Sequence, residues 1–182
     1  MNIGAEYLNV VIERFQSVKR LGDRTLSQLS NEDIHWSHHD ESNSVVIIVK
    51  HMSGNMISRW TDFLTTDGEK ESRNRDEEFT DDITSKAELM AIWEKGWSAL
   101  MKALGELQPD DLLKTVTIRG EKHLVLAAIE RQVAHYAYHV GQIVYIGKER
   151  KHTDWESLSI PKGQSETYLQ QMLDKHRSDN ER

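Results

Sequence analysis

Two histidines, His135 and His139, stand four residues apart in VLAAIERQVAHYAYHVGQIVYIGK, residues 125–148. Residues four apart on a helix are neighbours, with Cβ atoms roughly 5–6 Å apart. Two imidazoles placed that way reach one metal ion. With nine histidines in 182 residues, the spacing by itself is weak evidence. The setting strengthens it, because the segment is otherwise apolar and a buried histidine without a partner is costly. On the residues alone two readings stay open. The pair shares an ion, or both are core histidines bonded to tyrosines or carboxylates. The zinc-protease pattern H-E-x-x-H is excluded, since Tyr136 stands where its glutamate would be.

The element that must position the pair is a helix. Leu126, Ile129, Val133, Tyr136, Ala137, Val140, Ile143 and Val144 keep helical spacing. The polar break, Glu130–Arg131–Gln132, is short. The pattern therefore predicts a central helix, buried nearly all round. A third ligand must come from another element, and His51 is the best placed. It sits at the edge of a core stripe formed by Val45, Ile48, Val49, Met52, Met56, Trp60 and Phe63, which predicts a helix to about Thr65. Asn55, one turn beyond His51, is placed to orient a water or a substrate. Gln142, one turn beyond His139, is either a partner of the ligands or a surface residue. Arg59 falls within the apolar stripe, where a charge needs a partner. It has three readings: an internal ion pair with Glu130, an anion-binding group in a pocket, or a side chain reaching water.

His35 and His39 are also four apart, in HWSHHD, but Asp40–Ser44 is loop chemistry. They read as a polar surface loop with Trp36 tucked inward. His123 lies too near a predicted hairpin, and His152 and His176 keep exposed polar company.

The other elements frame these. Tyr7, Leu8, Val11, Ile12, Phe15, Val18, Leu21 and Leu26 predict a first helix from about Ala5 to Leu29. Residues 71–80, ESRNRDEEFT, are too polar for a core element and read as a loop, with closure over the site left open. Ser85-x-x-Glu88 is a capping box opening a third helix to about Leu107. Gly96 allows a neighbour to come close. Thr115–Ile118, the turn Arg119–Gly120–Glu121 and His123–Val125 predict a small β-hairpin leading into the fourth helix. Ser165 opens a short last helix to about His176, and RSDNER reads as frayed. Trp60, Trp93 and Trp97 are either core residues or partner contacts.

Composition narrows the function classes. A net charge of −7 argues against non-specific nucleic-acid binding. No apolar run approaches the ~20 residues of a membrane span. The opening stretch MNIGAEYLNVVIERF is amphipathic and acidic, unlike a signal peptide. The absence of cysteine removes disulfides, thiolate nucleophiles and cysteine zinc sites, and it fits a reducing cytoplasm. The reading is one all-α domain over residues 1–182.

Four helices, a histidine midway along the second, and H-x-x-x-H on the fourth resemble the DinB/YfiT-like metalloprotein superfamily. HMSGNMISRWTDFLTTDGEK, HYAYHVGQIVYIGK and WESLSIPKGQS resemble its bacterial DinB-like subgroup of unknown function. The resemblance spans essentially the whole chain. It implies a four-helix bundle, a homodimer, and a divalent ion (Zn, Ni, Fe or Mn) held by His51, His135 and His139. It also implies a metal-dependent transferase or hydrolase acting on small molecules, with a low-molecular-weight thiol as co-substrate. The alternative is a non-catalytic, metal-braced stress-response dimer.

Overall fold

The structure, a computed structural model, describes residues 2–180 and the side chains of 2–177. Its described residues form α1 (Ile3–Gln28), α2 (Val45–Trp60), α3 (Lys86–Glu106), β1 (Thr115–Ile118), β2 (Glu121–Leu124), α4 (Val125–Lys151) and α5 (Ser165–Asn180). Helix α1 starts at Ile3, two residues before the expected Ala5, and the starts of α1, α2 and α3 are capped by side chains. The Asn2 side chain accepts from the N–H groups of Gly4 and Ala5, and Ser44 Oγ accepts from Ile47 N–H. Ser85 Oγ accepts from Glu88 N–H as the capping box requires. The return bond is displaced by one residue, because Glu88 accepts from Thr84 N–H instead.

The helix α2 ends at Trp60, five residues before the expected Thr65. Thr61 is extended and Asp62 adopts a left-handed conformation (φ 49°), which aspartate tolerates better than most residues. Phe63 kept helical spacing yet reaches the core from a turn, with its ring centroid 4.6 Å from that of Trp60. The last helix runs to Asn180, beyond the expected His176, so Arg177–Asn180 of the stretch expected to fray is helical. Glu181 and Arg182, also expected to fray, lie outside the described residues.

Helix α2 lies along α3, α1 lies along α4, and α2 also meets α4. Gly96 sets the α2–α3 distance: a Cβ there would stand 2.7 Å from the Ser53 Cα. Ser53 Oγ then donates to the Ile92 carbonyl across the same contact. Phe15, Met52, Trp93, Trp97 and Tyr136 are sealed in the core. Trp60 is 2% exposed, so none of the three tryptophans faces outward as a partner contact.

One expectation for α4 fails. Its apolar sequence predicts burial nearly all round, yet Tyr138 and Tyr145 are 63% and 72% exposed. Ala134, Ala137 and Gly141 are exposed on the same side. Helix α4 packs on α1 and α2 and keeps one face in water, and small or amphipathic residues carry such a face at little cost.

The antiparallel hairpin pairs Thr115 with Leu124 and Ile118 with Glu121. Its second arm thus starts at Glu121 rather than His123, and Val125 already belongs to α4. Arg119 and Gly120 both have positive φ, as the tightest hairpin turns demand. The Asp67 carboxylate accepts from the N–H groups of Arg119, Gly120 and Glu69, each at 2.8 Å. Ser58 Oγ donates to Gly68 O and accepts from Lys70 N–H. These bonds moor the loop after α2, whose continuation at residues 77–79 packs back on α2. Among the described residues, no helix is long and apolar enough to cross a membrane.

Candidate metal centre

His51 from α2 and His135 and His139 from α4 meet in one place. One ligand nitrogen from each lies within 4.8 Å of the others. The Nε2 atoms of His135 and His139 stand 3.1 Å apart. Nitrogens around a tetrahedral zinc, at ~2.0–2.1 Å from it, stand roughly 3.3 Å from each other. Among the described residues this is the one group of three or more histidines or carboxylates so placed.

Each ring has an acceptor behind it. His51 Nδ1 donates to Glu78 Oε2 at 3.0 Å, His139 Nδ1 to Gln142 Oε1 at 2.8 Å, and His135 Nδ1 to Gln132 Oε1 at 3.3 Å. A proton held on Nδ1 leaves the Nε2 lone pair free for a cation. With both protons so placed, the close Nε2 atoms of His135 and His139 confront each other as acceptors, an arrangement that a cation between them relieves. Burial, then the charges of His139 and His51, push the His135 pKa down to about 4. Burial also lowers that of His139, against the hydrogen bond to Gln142. Both are therefore neutral, the ligating form, near pH 7. The donor set fits a divalent ion, and imidazoles discriminate poorly among Zn²⁺, Ni²⁺ and Fe²⁺.

Glu78 is the residue that the sequence reading missed. It lies in the polar 71–80 stretch, yet it is buried at 6% exposure, on a short 3₁₀ turn over Glu77–Phe79. Arg73 grips it with Nε on Oε1 at 2.7 Å and Nη2 on Oε2 at 2.8 Å. Burial works to raise the Glu78 pKa, but the bonds from His51 and Arg73 outweigh it and hold the carboxyl below its usual range. Gly54 makes room: a Cβ there would collide with Oε1 of Glu78. A glycine inside a helix costs roughly 1 kcal/mol against alanine, so its presence marks a close approach. The loop is thus an ordered wall of the site.

The centre opens on a cavity of about 240 Å³ lined by His51, His135, Asn55, Arg59, Arg131 and Gln132 among others. Asn55 Oδ1 accepts from Tyr136 OH, which in turn accepts from Trp60 Nε1–H. Burial pushes the Tyr136 hydroxyl well above its usual pKa, so this buried chain keeps its proton. Arg59 does not pair with Glu130, which accepts from Tyr7 OH at 2.8 Å. It is 3% exposed, and its Nε and Nη1 have no hydrogen-bond partner. Burial lowers its pKa below the usual arginine value. Asp62 sits exposed beyond the end of α2. Gln142 also lines a groove of about 700 Å³ between α4 and the loop before α2, shared with Tyr138, Tyr145, Trp36 and Ile48.

The other histidines stand apart. His35 Nδ1 meets Asp81 Oδ1 at 2.7 Å, and His38 stacks edge-on with Trp36 and with His39. His123 lies beside Glu121 on the hairpin.

No curated protein and no solved structure matches the chain. One family model, described as "Protein of unknown function (DUF1572)", matches residues 2–164. The chain belongs to this family, which is DinB-like.

Proposed function

We propose that the protein is a metal-dependent enzyme acting on small molecules, with one divalent ion held by His51, His135 and His139. The observation that carries this reading is the convergence of one ligand nitrogen from each of three imidazoles, each ring backed through Nδ1 by its own acceptor. Three protein ligands beside a cavity favour a catalytic site over a closed structural one, which takes four. When bound, the ion supplies Lewis acidity toward a water, a thiol or a substrate oxygen. The chain's own groups do the rest: Glu78, Gln132 and Gln142 orient the rings, and Asn55 offers its amide N–H into the cavity. We read α1–α4 as a DinB-like four-helix bundle, supported by the α2–α3, α1–α4, α2–α4 and α1–α3 contacts. A low-molecular-weight thiol is the co-substrate that the resemblance implies, and a transferase or hydrolase the reaction class. The exposed apolar face of α4 supports the homodimer.

The test is metal content by plasma mass spectrometry on untagged, chelator-free protein, followed by turnover assays. The assays pair thiols with electrophiles, and include hydrolysable esters and amides, on protein loaded with the ion found. Near one ion per chain and metal-dependent turnover support the reading. An ion that binds without any turnover leaves the bracing role, and no ion overturns both.

A further inference from the structure

We propose that the cavity beside the three histidines is an anion site, in which Arg59 holds the carboxylate or phosphate group of a small substrate. The word "substrate" rests on the metal-dependent reading above; the anion site itself does not.

Arg59 is the anomaly that leads here. It is buried at 3% exposure, yet Nε and Nη1 find no acceptor. A buried unpaired charge is strongly destabilising, and a neutral side chain of similar volume would serve the core better. The fold nevertheless leaves room for it: Gly68 lies against the guanidinium, and a Cβ there would stand 2.6 Å from Nη1. Four more arginines line the same cavity: Arg73, Arg75, Arg119 and Arg131. Among the described residues they have two carboxylate partners. Glu78 takes Arg73, and Glu69 takes Arg73 and Arg119. Arg75 lies over the Phe79 ring, and Arg131 is exposed. Among the described residues no carboxylate forms an ion pair with Arg59, and Glu69 acts on it only through its more distant charge. The Asn55 carbonyl oxygen is already taken by Tyr136, which leaves its amide N–H groups.

A cavity lined by donors and net positive charge selects an acceptor of negative charge. Guanidinium groups match carboxylate and phosphate oxygens as planar forks. Nε and Nη1 are closed off even from a water molecule, so an anion in the cavity answers the charge of the guanidinium as a whole. About 240 Å³ admits a small oxyanion group and excludes a folded peptide or a nucleic-acid strand. His51 and His135 line the same space, so an anion there lies next to the ion they would hold.

The experiment titrates inorganic phosphate and succinate by calorimetry and thermal shift, at constant ionic strength with chloride as control. It uses metal-loaded and metal-free full-length protein, with metal content measured on the same samples. The wild type should bind saturably, and Arg59→Met should weaken binding at least tenfold. Arg59→Met should also melt higher than wild type without ligand, since it removes an unpaired buried charge. Arg59→Lys and Arg131→Gln, which keep charge or lie at the rim, should weaken binding less, and they carry the test if Arg59→Met fails to fold. A preference for phosphate or for succinate names the oxyanion. Wild-type responses no larger than with chloride, or wild-type affinity in Arg59→Met, overturn the proposal. Metal uptake without anion binding overturns this inference alone. Anion binding in protein that takes up no metal supports it and overturns the metal reading.

Discussion

The chain contains two H-x-x-x-H pairs, and the structure treats them differently. His135 and His139 ride on α4, with Nε2 atoms 3.1 Å apart and a third imidazole beside them. His35 ends a 3₁₀ turn and His39 lies in the loop after it. His35 bonds to Asp81, and His39 contacts His38 and Ser42. The same spacing thus yields a ligand pair in one place and two separate loop contacts in the other. Spacing becomes geometry only where a helix fixes the Cβ positions. Geometry becomes a ligand set only where each Nδ1 has an acceptor to set the tautomer.

The largest expected effect breaks the comparison outright. Replacing His51, His135 or His139 by alanine should take bound metal from about one ion per chain to near none. His35→Ala and His39→Ala should leave it unchanged. Equal losses from both sets, read by mass spectrometry, would mean that the helix pair is not special. Chelation comes next. An ion present at ~1,000 times its dissociation constant stabilises by about 4 kcal/mol. For a chain of this length that is roughly 10 °C of melting temperature. The wild type should lose it on chelation, and the His139→Ala variant should show no shift.

The contrast also explains what was legible in the sequence. The helices and the α4 pair announced themselves through apolar period and caps, which are local signals. His51 was legible because the edge of a core stripe is a periodic property too. Glu78 was not. Its role depends on a polar loop folding back over α2, held by Asp67 on the hairpin turn and by Ser58, contacts distant in sequence. The one local hint was Gly54, a glycine in a helix interior where alanine would be cheaper. The end of α2 was misplaced for a related reason, since Phe63 kept the helical period while leaving the helix. The face of α4 was misjudged because residue type stood in for coverage, and what covers a helix is decided by its neighbours.

Glu78 sharpens the comparison further, because both histidine regions place a carboxylate behind an imidazole. Glu78→Gln should weaken metal affinity by about 10–100-fold, the usual cost of removing an orienting carboxylate. Asp81→Asn, behind His35, should change it by less than a factor of about two, well below that cost. Gly54→Ala should follow Glu78→Gln, since the added methyl displaces the same carboxylate. Competition against a fluorescent chelator measures all three. If Asp81→Asn cost as much as Glu78→Gln, the loop region would have to be coupled to the ion after all.

The smallest effect concerns protons on the metal-free protein. An unfolded histidine titrates near 6.5, whereas burial and its imidazole neighbours bring His135 to about 4 in the folded chain. Between these values the unfolded chain binds a proton that the folded chain does not. Stability is therefore full above pH 6.5 and falls as the pH drops toward 4, by at most about 1.4 kcal/mol per pH unit for one proton. His139, also shifted down by burial, adds in the same direction. Glu78 contributes in a separate window. Its folded pKa lies below the ordinary 4.5, so its share is lost only as the pH falls below that value. Urea unfolding of the metal-free protein between pH 7 and 4.5 reads the histidine window alone. His135→Gln should flatten the slope there, while Glu78→Gln should flatten it only below pH 4.5. An unchanged slope in His135→Gln would mean that this imidazole pays no burial cost, and hence that it is open to water rather than held for an ion.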